Sequence, residues 1–245
     1  VAGGIPIIKA LRESMAANEV SQVAGIINGT GNFILTEMSS KGRVFDDVLS
    51  EAQALGYAEA DPTFDIDGTD AAHKLVILAS LAFGIPLDID GPIKQGIDTL
   101  TPTDLDYAAE LGYRVKHLGI ARRNEDGVEL RVHPTLIPER KQIATVDCVL
   151  NAVMISGSAV GEVVLVGPGA GGAATASSVC SDIIDVARHP SGKGPAMGLP
   201  AAGLSARPLI PSGDIASEWY VRLTVVDRPG VMSDITQVLA GRGIS

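Results

Sequence analysis

Fifteen residues, Thr69–Phe83, do most to decide what this chain can become. Gly68 and Gly84 bound the stretch, Pro86 follows, and after Lys74 no charge appears before the stretch ends. The pattern predicts a helix over 69–83, apolar around most of its circumference, that other elements have to cover. That cover is aliphatic: aromatics are only 4% of the chain, so Ala, Val, Ile and Leu must fill the core.

The remaining sequence supplies the layers. Residues 6–17 read as a helix with Pro6 at its first position. Residues 20–27 read as a strand ended by Asn28-Gly29-Thr30. Residues 33–39 and 47–55 follow as helices, the second capped by Asp46 and closed by Gly56. Beyond Pro86 the texture changes. Residues 115–122 and 128–132 flank the turn Asn124-Glu125-Asp126-Gly127 as a hairpin. Residues 146–155 and 159–166 are two more strands, and a glycine-rich turn at 167–172 opens a helix over 173–188. Helices followed by antiparallel strands predict an α+β fold with a mixed, largely antiparallel sheet and helices on one face. Residues 189–217 turn to Pro, Gly, Ser and Ala and read as a linker; residues 219–226 then alternate like a strand, with a helix over 231–240. A chain that opens on Val1 and stops at Ser245 inside a pattern is expected to be a piece of a longer one.

Charge narrows the partners. With 19 basic and 29 acidic residues the formal charge is -10, which disfavours a nucleic-acid or anionic-membrane partner. No apolar run reaches the roughly 18 residues of a membrane span. Cys148 and Cys180 form neither a disulfide framework nor a metal-ligand spacing.

The richest chemistry precedes and enters the 69–83 helix. Five carboxylates (Glu59, Asp61, Asp65, Asp67 and Asp70) crowd a loop that runs into its N-terminus. There the helix dipole offsets about 0.3–1 kcal/mol of repulsion per charge. Asp70 and Lys74, four residues apart, share one helical face. Burial lowers the pKa of a lysine and neighbouring carboxylates raise it. A lysine balanced between the two is suited to moving a proton to or from an alcohol. Taken alone, an Asp–Lys pair at this spacing is most often a surface ion pair. A calcium loop fails, because Thr63 and Lys74 fall where Asp and Glu are required.

The arrangement Asp61-Pro62-x-x-Asp65-x-x-Gly68-x-Asp70-x-x-x-Lys74, preceded by Ala52-x-x-x-Gly56-Tyr57, resembles the signature of homoserine dehydrogenases. Val1-Ala2-Gly3-Gly4-Ile5-Pro6 and Asn28-Gly29-Thr30-Gly31-Asn32 are similar to the same family. The resemblance runs from Val1 to about Arg188. It implies NADP- or NAD-dependent interconversion of L-aspartate 4-semialdehyde and L-homoserine, a cytoplasmic step towards threonine, methionine and isoleucine. It further implies Lys74 as proton donor and acceptor, and Asp70 as the group that holds substrate and positions Lys74. Glu59 and Asp65 would take the substrate's ammonium, which needs a paired charge when buried. Thr30 and Tyr57 would be pocket neighbours. Asp61 and Asp67 are expected to be structural, and His73 to be packing or surface.

Residues 167–172, Gly-Pro-Gly-Ala-Gly-Gly, satisfy G-x-G-x-x-G, but no acidic strand end follows at the required distance, so a self-contained nucleotide fold fails. A lone turn at a helix N-terminus remains open. By the resemblance, residues 169–188 return to a nucleotide domain, and Gly56 and Gly171 neighbour the cofactor. The resemblance also implies a sodium ion on the carbonyls of Val1, Gly3 and Ile5. A nucleotide-binding Rossmann domain and a second active-site lysine are expected outside these 245 residues, leaving the isolated chain inactive.

Residues 218–245 resemble the first strand and helix of an ACT domain, a ferredoxin-like regulatory module, which implies feedback control by threonine. One strand and one helix cannot bury a core, so this tail is expected to be weakly held. The resulting division is a substrate and dimerisation domain over 1–188, a linker over 189–217 and the start of a regulatory module over 218–245. A homodimer through the central strands is expected. The rival readings are a dehydrogenase of another aldehyde and a non-catalytic amino-acid-binding or dimerisation module.

Overall fold

The structure, a computed structural model, describes residues 1–188 and 203–244. The chain opens with a short helix α1 (Ile7–Lys9) that widens into a π-turn over Ala10–Ser14. It continues through β1 (Val20–Ile26), α2 (Gly29–Lys41), α3 (Phe45–Ala54), the single turn α4 (Thr63–Ile66) and α5 (Thr69–Phe83). After β2 (Ile93–Lys94) and α6 (Pro102–Glu110) come the long hairpin β3 (Tyr113–Arg123) and β4 (Val128–Pro138). The second hairpin is β5 (Leu150–Gly157) and β6 (Gly161–Pro168), leading to α7 (Gly172–Arg188) and, after the linker, α8 (Val231–Gly241). The six strands form one sheet in the order β2-β4-β3-β1-β5-β6, antiparallel except for the β2–β4 pair.

Register assigns the faces. Val23 lies opposite Ala121 and Ile155, and Ala121 opposite Leu130. These side chains join the main apolar cluster with Leu75, Leu78 and Ala79 of α5 and with Ile7, Leu11 and Met15. One residue along, Ala24, Ile120 and Met154 share the other face, closed by Ile143, Ala144 and Val146 around the 3-10 turn Gln142–Thr145. A one-residue slip would exchange the two sets, so burial fixes the pairing. Gly119 lets α5 approach, because a Cβ there would stand 3.0 Å from Ile27 and 3.4 Å from Leu75. A third cluster joins α2, α3 and α6 through Leu35, Met38, Val48, Ala52 and Leu105.

The mixed, largely antiparallel α+β architecture is the expected one, and α5 matches its predicted limits. Several other elements differ. The helix expected over 6–17 is α1 plus its π-turn. Ile7, Leu11 and Met15 are all buried and spaced four apart, and a winding wider than 3.6 residues per turn keeps them in line. The helix expected at 33 begins at Gly29, and the one expected from 47 begins at Phe45, with Val44 rather than Asp46 as its cap. The strand expected from 146 starts at Leu150, because Cys148 has φ +58°, a left-handed backbone that cannot continue a strand. Helix α6 falls where the sequence pattern predicts no element.

The first part of the expected linker, 189–202, lies outside the described residues. The described remainder is anchored: the Ser205 amide donates to the Gly84 carbonyl at 2.9 Å. Val128 and the 208–210 segment exchange two bonds of 3.0 Å, from Val128 N to Pro208 O and from Ile210 N to Val128 O. Residues 219–226 form no strand, contrary to expectation, and Trp219 is 81% exposed. An extended segment becomes a strand only beside a partner, and none adjoins it among the described residues.

Candidate active site

Two helix N-termini meet at the site, and one asparagine ties them. Asn28 caps α2: its Oδ1 accepts from the Gly31 amide at 2.8 Å. Its Nδ2 donates to Asp65 Oδ1 at 2.7 Å and to Asp70 Oδ2 at 2.9 Å. Two carboxylates that would repel one another are thus held by a single neutral donor group. Asp70 Oδ2 also accepts from Lys74 Nζ at 2.6 Å, and the same ammonium reaches the Ile27 carbonyl at 3.2 Å. Both side chains are 30% exposed, the partial burial expected of a lysine in this helix.

The loop before α5 is held by its own acids. Asp61 accepts from the Thr63 hydroxyl and amide at 2.6 and 3.2 Å, bonds that hold its carboxyl below the usual carboxylate range. Asp67 accepts from the Thr69 amide and hydroxyl, both at 2.8 Å, across the α5 N-terminus. These geometries are structural. Gly68 between them has φ +84°, with Val132 and His117 behind it at 3.0 and 3.1 Å from where a Cβ would stand. His73 is exposed and meets Phe64 edge-on at 6.4 Å.

Of the remaining expected residues, Thr30 Oγ1 donates to the Tyr57 carbonyl at 2.7 Å, and the Tyr57 ring packs on Phe33 at 5.1 Å. Gly56 turns the chain at φ +74°. Glu59 is exposed on the same loop; its backbone carbonyl, at 3.1 Å, accepts from Gln53. Lys74, Asp70 and Asp65 therefore converge, Thr30 and Tyr57 meet one another at the start of α2, and Glu59 lies exposed on the loop between α3 and α4.

A second group assembles at the glycine turn. The Gly4 amide donates to the Pro168 carbonyl at 2.9 Å. A Cβ on Gly3 would come within 2.3 Å of the Gly169 carbonyl, so the opening loop and the turn are in backbone contact. Ser178 Oγ donates to the Gly3 carbonyl at 2.7 Å, and Lys9 pairs with Asp185 of α7. Gly171 has φ +107° and open space where a Cβ would lie. Beside the turn, Asn151 is 1% exposed, and its Oδ1 is buried without a hydrogen-bond partner. The bare backbone of the turn, open at Gly171, leaves room for a flat neutral group such as a nicotinamide ring. The turn contains no basic residue for phosphates. The carbonyls of Gly3 and Ile5 each already accept one bond, from Ser178 and from Ile7.

Two histidines of the long hairpin are drawn below their usual pKa, His117 behind Gly68 and His133 on the sheet face opposite α5. His117 on β3 shares a 2.9 Å bond with the Gln95 carbonyl through Nε2, while Nδ1 has no partner. Burial pushes both His117 and His133 down, partly offset by backbone carbonyls of Gln95 and Pro134. The folded state therefore binds fewer protons than the unfolded chain, whose histidines titrate near pH 6.5. This stability is present above about pH 6.5 and is lost as pH falls towards the folded values. Urea midpoints should fall between about pH 7.5 and pH 5.5, and His117→Gln should flatten that slope. An unchanged slope in the variant would remove His117 from this account.

The sequence predicts the shared face of Asp70 and Lys74, but gives Asn28 no role beyond a strand end and a family-like segment and gives Asn151 none. Asn28 was legible in principle, as an asparagine immediately before a helix. Nothing in sequence marks Asn151, which faces Gly167 across the second hairpin and lies under the Gly169 turn.

A family profile described as homoserine dehydrogenase matches residues 6–184. The homoserine dehydrogenase of Pseudomonas aeruginosa is 56% identical over 249 aligned residues, covering 100% of this chain and 57% of that protein. The solved homoserine dehydrogenase from Thiobacillus denitrificans aligns with a TM-score of 0.88 and 53% identity, covering 98% of this chain and 57% of that one. A hyperthermophilic archaeal homoserine dehydrogenase mutant, solved in complex with NADPH, gives a TM-score of 0.66 at 33% identity, covering 77% of this chain and 54% of that one. The chain spans a little over half the length of these relatives.

Proposed function

The chain belongs to the homoserine dehydrogenase family, and from that premise we propose that it carries the substrate half of an active site interconverting L-aspartate 4-semialdehyde and L-homoserine. The observation that carries this reading is the run of bonds from Lys74 to Asp70 to Asn28 to Asp65 at the joined N-termini of α5 and α2. In the reductive direction the aldehyde carbon gains a hydride and its oxygen gains a proton. A nicotinamide, NADP or NAD, supplies the hydride when bound. Lys74 Nζ delivers the proton to the developing alkoxide, and in the reverse direction removes it from the alcohol.

Asp70 holds the Lys74 ammonium in place and is itself held by Asn28, so the donor is oriented before substrate arrives. Asp65 spends one oxygen on Asn28 and keeps the other for the substrate ammonium, with Glu59 closing from the rim. Thr30 and Tyr57 border the pocket, and Gly56 and Gly171 leave room for the cofactor.

Around this site we assign 1–188 to a substrate and dimerisation domain, with α7 returning to a nucleotide domain; its apolar face, including Ile183 and Ile184, is exposed. Residues 189–217 link it to the start of an ACT-like module responsive to threonine. A homodimer would cover the sheet face opposite α5, where Glu129 and Arg131 each leave a buried polar atom without a hydrogen bond. A sodium ion on the carbonyls of Val1, Gly3 and Ile5 would need further ligands to reach the six or so oxygens that hard cations take. The reading places the enzyme in cytoplasmic amino-acid biosynthesis, with no nucleic-acid or membrane partner. Among the described residues no helix is long and apolar enough to cross a membrane.

The test uses the protein with its nucleotide domain. Homoserine should drive reduction of the dinucleotide, and Asp65→Asn or Glu59→Gln should raise KM for homoserine about tenfold to a hundredfold, the worth of a charge-assisted bond. If both variants keep the KM of the parent, the ammonium is bound elsewhere and this assignment is wrong.

A further inference from the structure

Asn28 ties the start of α2 to the start of α5, and a side chain that the proposed chemistry does not use lies against both. His117 of β3 is 5% exposed. A Cβ on Gly68, the N-cap of α5, would stand 3.1 Å from its Cε1 and 3.4 Å from its Nε2. A Cβ on Gly31, in the first turn of α2, would stand 3.9 Å from its Nδ1. One edge of the ring thus meets both helix starts. Gly31 is also the residue whose amide bonds Asn28 Oδ1, so the ring backs the turn that orients Asn28. Gly68 lies between Asp65 and Asp70, the two carboxylates that Asn28 holds.

Hydrogen bonding fixes the state of the ring. The Gln95 carbonyl can only accept, so at 2.9 Å Nε2 carries the proton, and Nδ1 of the neutral ring is left with a lone pair. Nδ1 is buried without a partner. Helix N-termini present partial positive charge, which suits a lone pair and opposes an imidazolium. We infer that His117 is a positioning residue: its neutral ring is the wedge that seats the start of α2 against the start of α5, so that Asn28 reaches Asp70 and Asp65 together. This rests on the dehydrogenase reading and deepens it, because His117 acts through Asn28 and Asp70 on Lys74. A second proton would put an N–H at Nδ1 with no acceptor, between two helix starts, and unseat the wedge.

The charges around the ring are few. Burial pushes the His117 pKa down; His133 of β4 adds to this, while the Gln95 carbonyl and Asp67, in the loop entering α5, oppose it. From β2, Lys94 donates to Thr69 Oγ1 at 2.9 Å, a further cation at the same helix start. Asp70 of α5 is held by Asn28 and Lys74, and α2 carries its titratable side chains, Glu37 and Lys41, in its later turns.

The experiment reads kcat for reduction of L-aspartate 4-semialdehyde, at saturating reduced dinucleotide, on the protein with its nucleotide domain. The range is about pH 8 to about pH 5, with near-ultraviolet circular dichroism at each pH. In this direction Lys74 gives a proton, so acid does not disarm it, and loss of charge on Asp65 or Glu59 would appear in KM. At the alkaline end His117→Ala should lower kcat about tenfold to a hundredfold, the worth of a misplaced catalytic group. His117→Gln, which keeps an N–H for the Gln95 carbonyl and much of the bulk, should stay close to the parent. Below about pH 6.5, where a free imidazole takes up its second proton, the parent kcat should fall towards about tenfold per pH unit while its dichroism holds. His117→Gln should keep its alkaline kcat throughout.

A parent kcat that stays level across the range overturns the inference. So does an acid loss that survives in His117→Gln, or one that follows the dichroism and is therefore unfolding. A His117→Ala variant that folds and keeps the parent kcat removes the wedge as well. A parent that reduces no semialdehyde at any pH overturns the dehydrogenase reading itself.

Discussion

Replacing Lys74 with methionine is expected to lower kcat for homoserine oxidation by about 10²- to 10⁴-fold, the usual worth of a positioned proton-transfer group. Methionine preserves the length and most of the packing of the lysine stem, so α5 should keep its place on the sheet. On the proposed assignment the homoserine KM should change little, because Lys74 would meet the oxygen whose charge changes in the reaction while other residues would bind the ammonium. Asp70→Asn tests the same geometry from the other side. Asparagine can still accept from Lys74, which sits 2.6 Å from the native carboxylate, but it no longer pairs the charge. Its kcat loss should be smaller than that of Lys74→Met. The measurement is steady-state appearance of reduced dinucleotide in the protein with its nucleotide domain. A Lys74→Met variant that keeps more than about a tenth of the parent kcat would remove this lysine from the proton-transfer role.

This lysine was legible in sequence for a physical reason. A charge in an otherwise apolar helix with glycine stops at both ends leaves few arrangements, and both Gly68 and Gly84 do adopt the left-handed backbone that ends helices. Where local signals were weak, the fold departed from expectation. Helix α6 carries a complete capping box, Thr101 with Asp104, in which Asp104 accepts from the Thr101 amide at 3.0 Å. Its polar, acidic surface hides the periodicity that would have revealed it. Helix α2 begins at Gly29 because Asn28 caps it, although a Gly-Thr-Gly start reads as a turn.

The segment 219–226 shows the opposite failure. Its alternation is that of a strand, but alternation cannot supply the neighbouring chain on which a strand depends. What holds it instead is a pair of side chains. Arg222 Nε donates to Asp104 Oδ1 at 2.6 Å and Tyr220 Oη to the same oxygen at 3.3 Å, so the tail is pinned to the start of α6. Arg222 and the Thr101 bonds draw the Asp104 carboxyl below its ordinary range against the opposing effect of burial, which alone would raise it.

The least legible part of the site is its foundation. Lys116 on β3 is 2% exposed, and nothing about its sequence neighbourhood marks it as buried. Its ammonium donates to the Val146 carbonyl at 2.6 Å, Asp147 Oδ1 at 2.8 Å and Asn32 Oδ1 at 3.2 Å. Asn32 in turn donates to the Val146 and Leu150 carbonyls at 3.0 and 3.1 Å. These bonds lock the first turn of α2 to the entry of β5, which places Asn28 and Thr30 at one end and Asn151 at the other. Burial pushes the Lys116 pKa down, and the Asp147 carboxylate opposes that shift.

Lys116→Met should therefore leave buried Asn32 Oδ1 without its donor and the Val146 carbonyl with one of its two. Asp147, at 39% side-chain exposure, can recover water, so the loss should fall at the lower end of the range for a broken buried pair, about 2–4 kcal/mol. At about 2–4 °C per kcal/mol for a chain of this size, Tm should drop by roughly 5–15 °C. The urea midpoint should fall with an unchanged m-value, since the folded core keeps its extent. Asn32→Ala should cost less, because Lys116 would keep two of its three acceptors. The paired variant should lose less than the sum of the two, because the bond between Lys116 and Asn32 is already lost in either single variant and counts once in the pair. Strictly additive losses would mean that Lys116 and Asn32 stabilise α2 independently, and that no shared network supports the site.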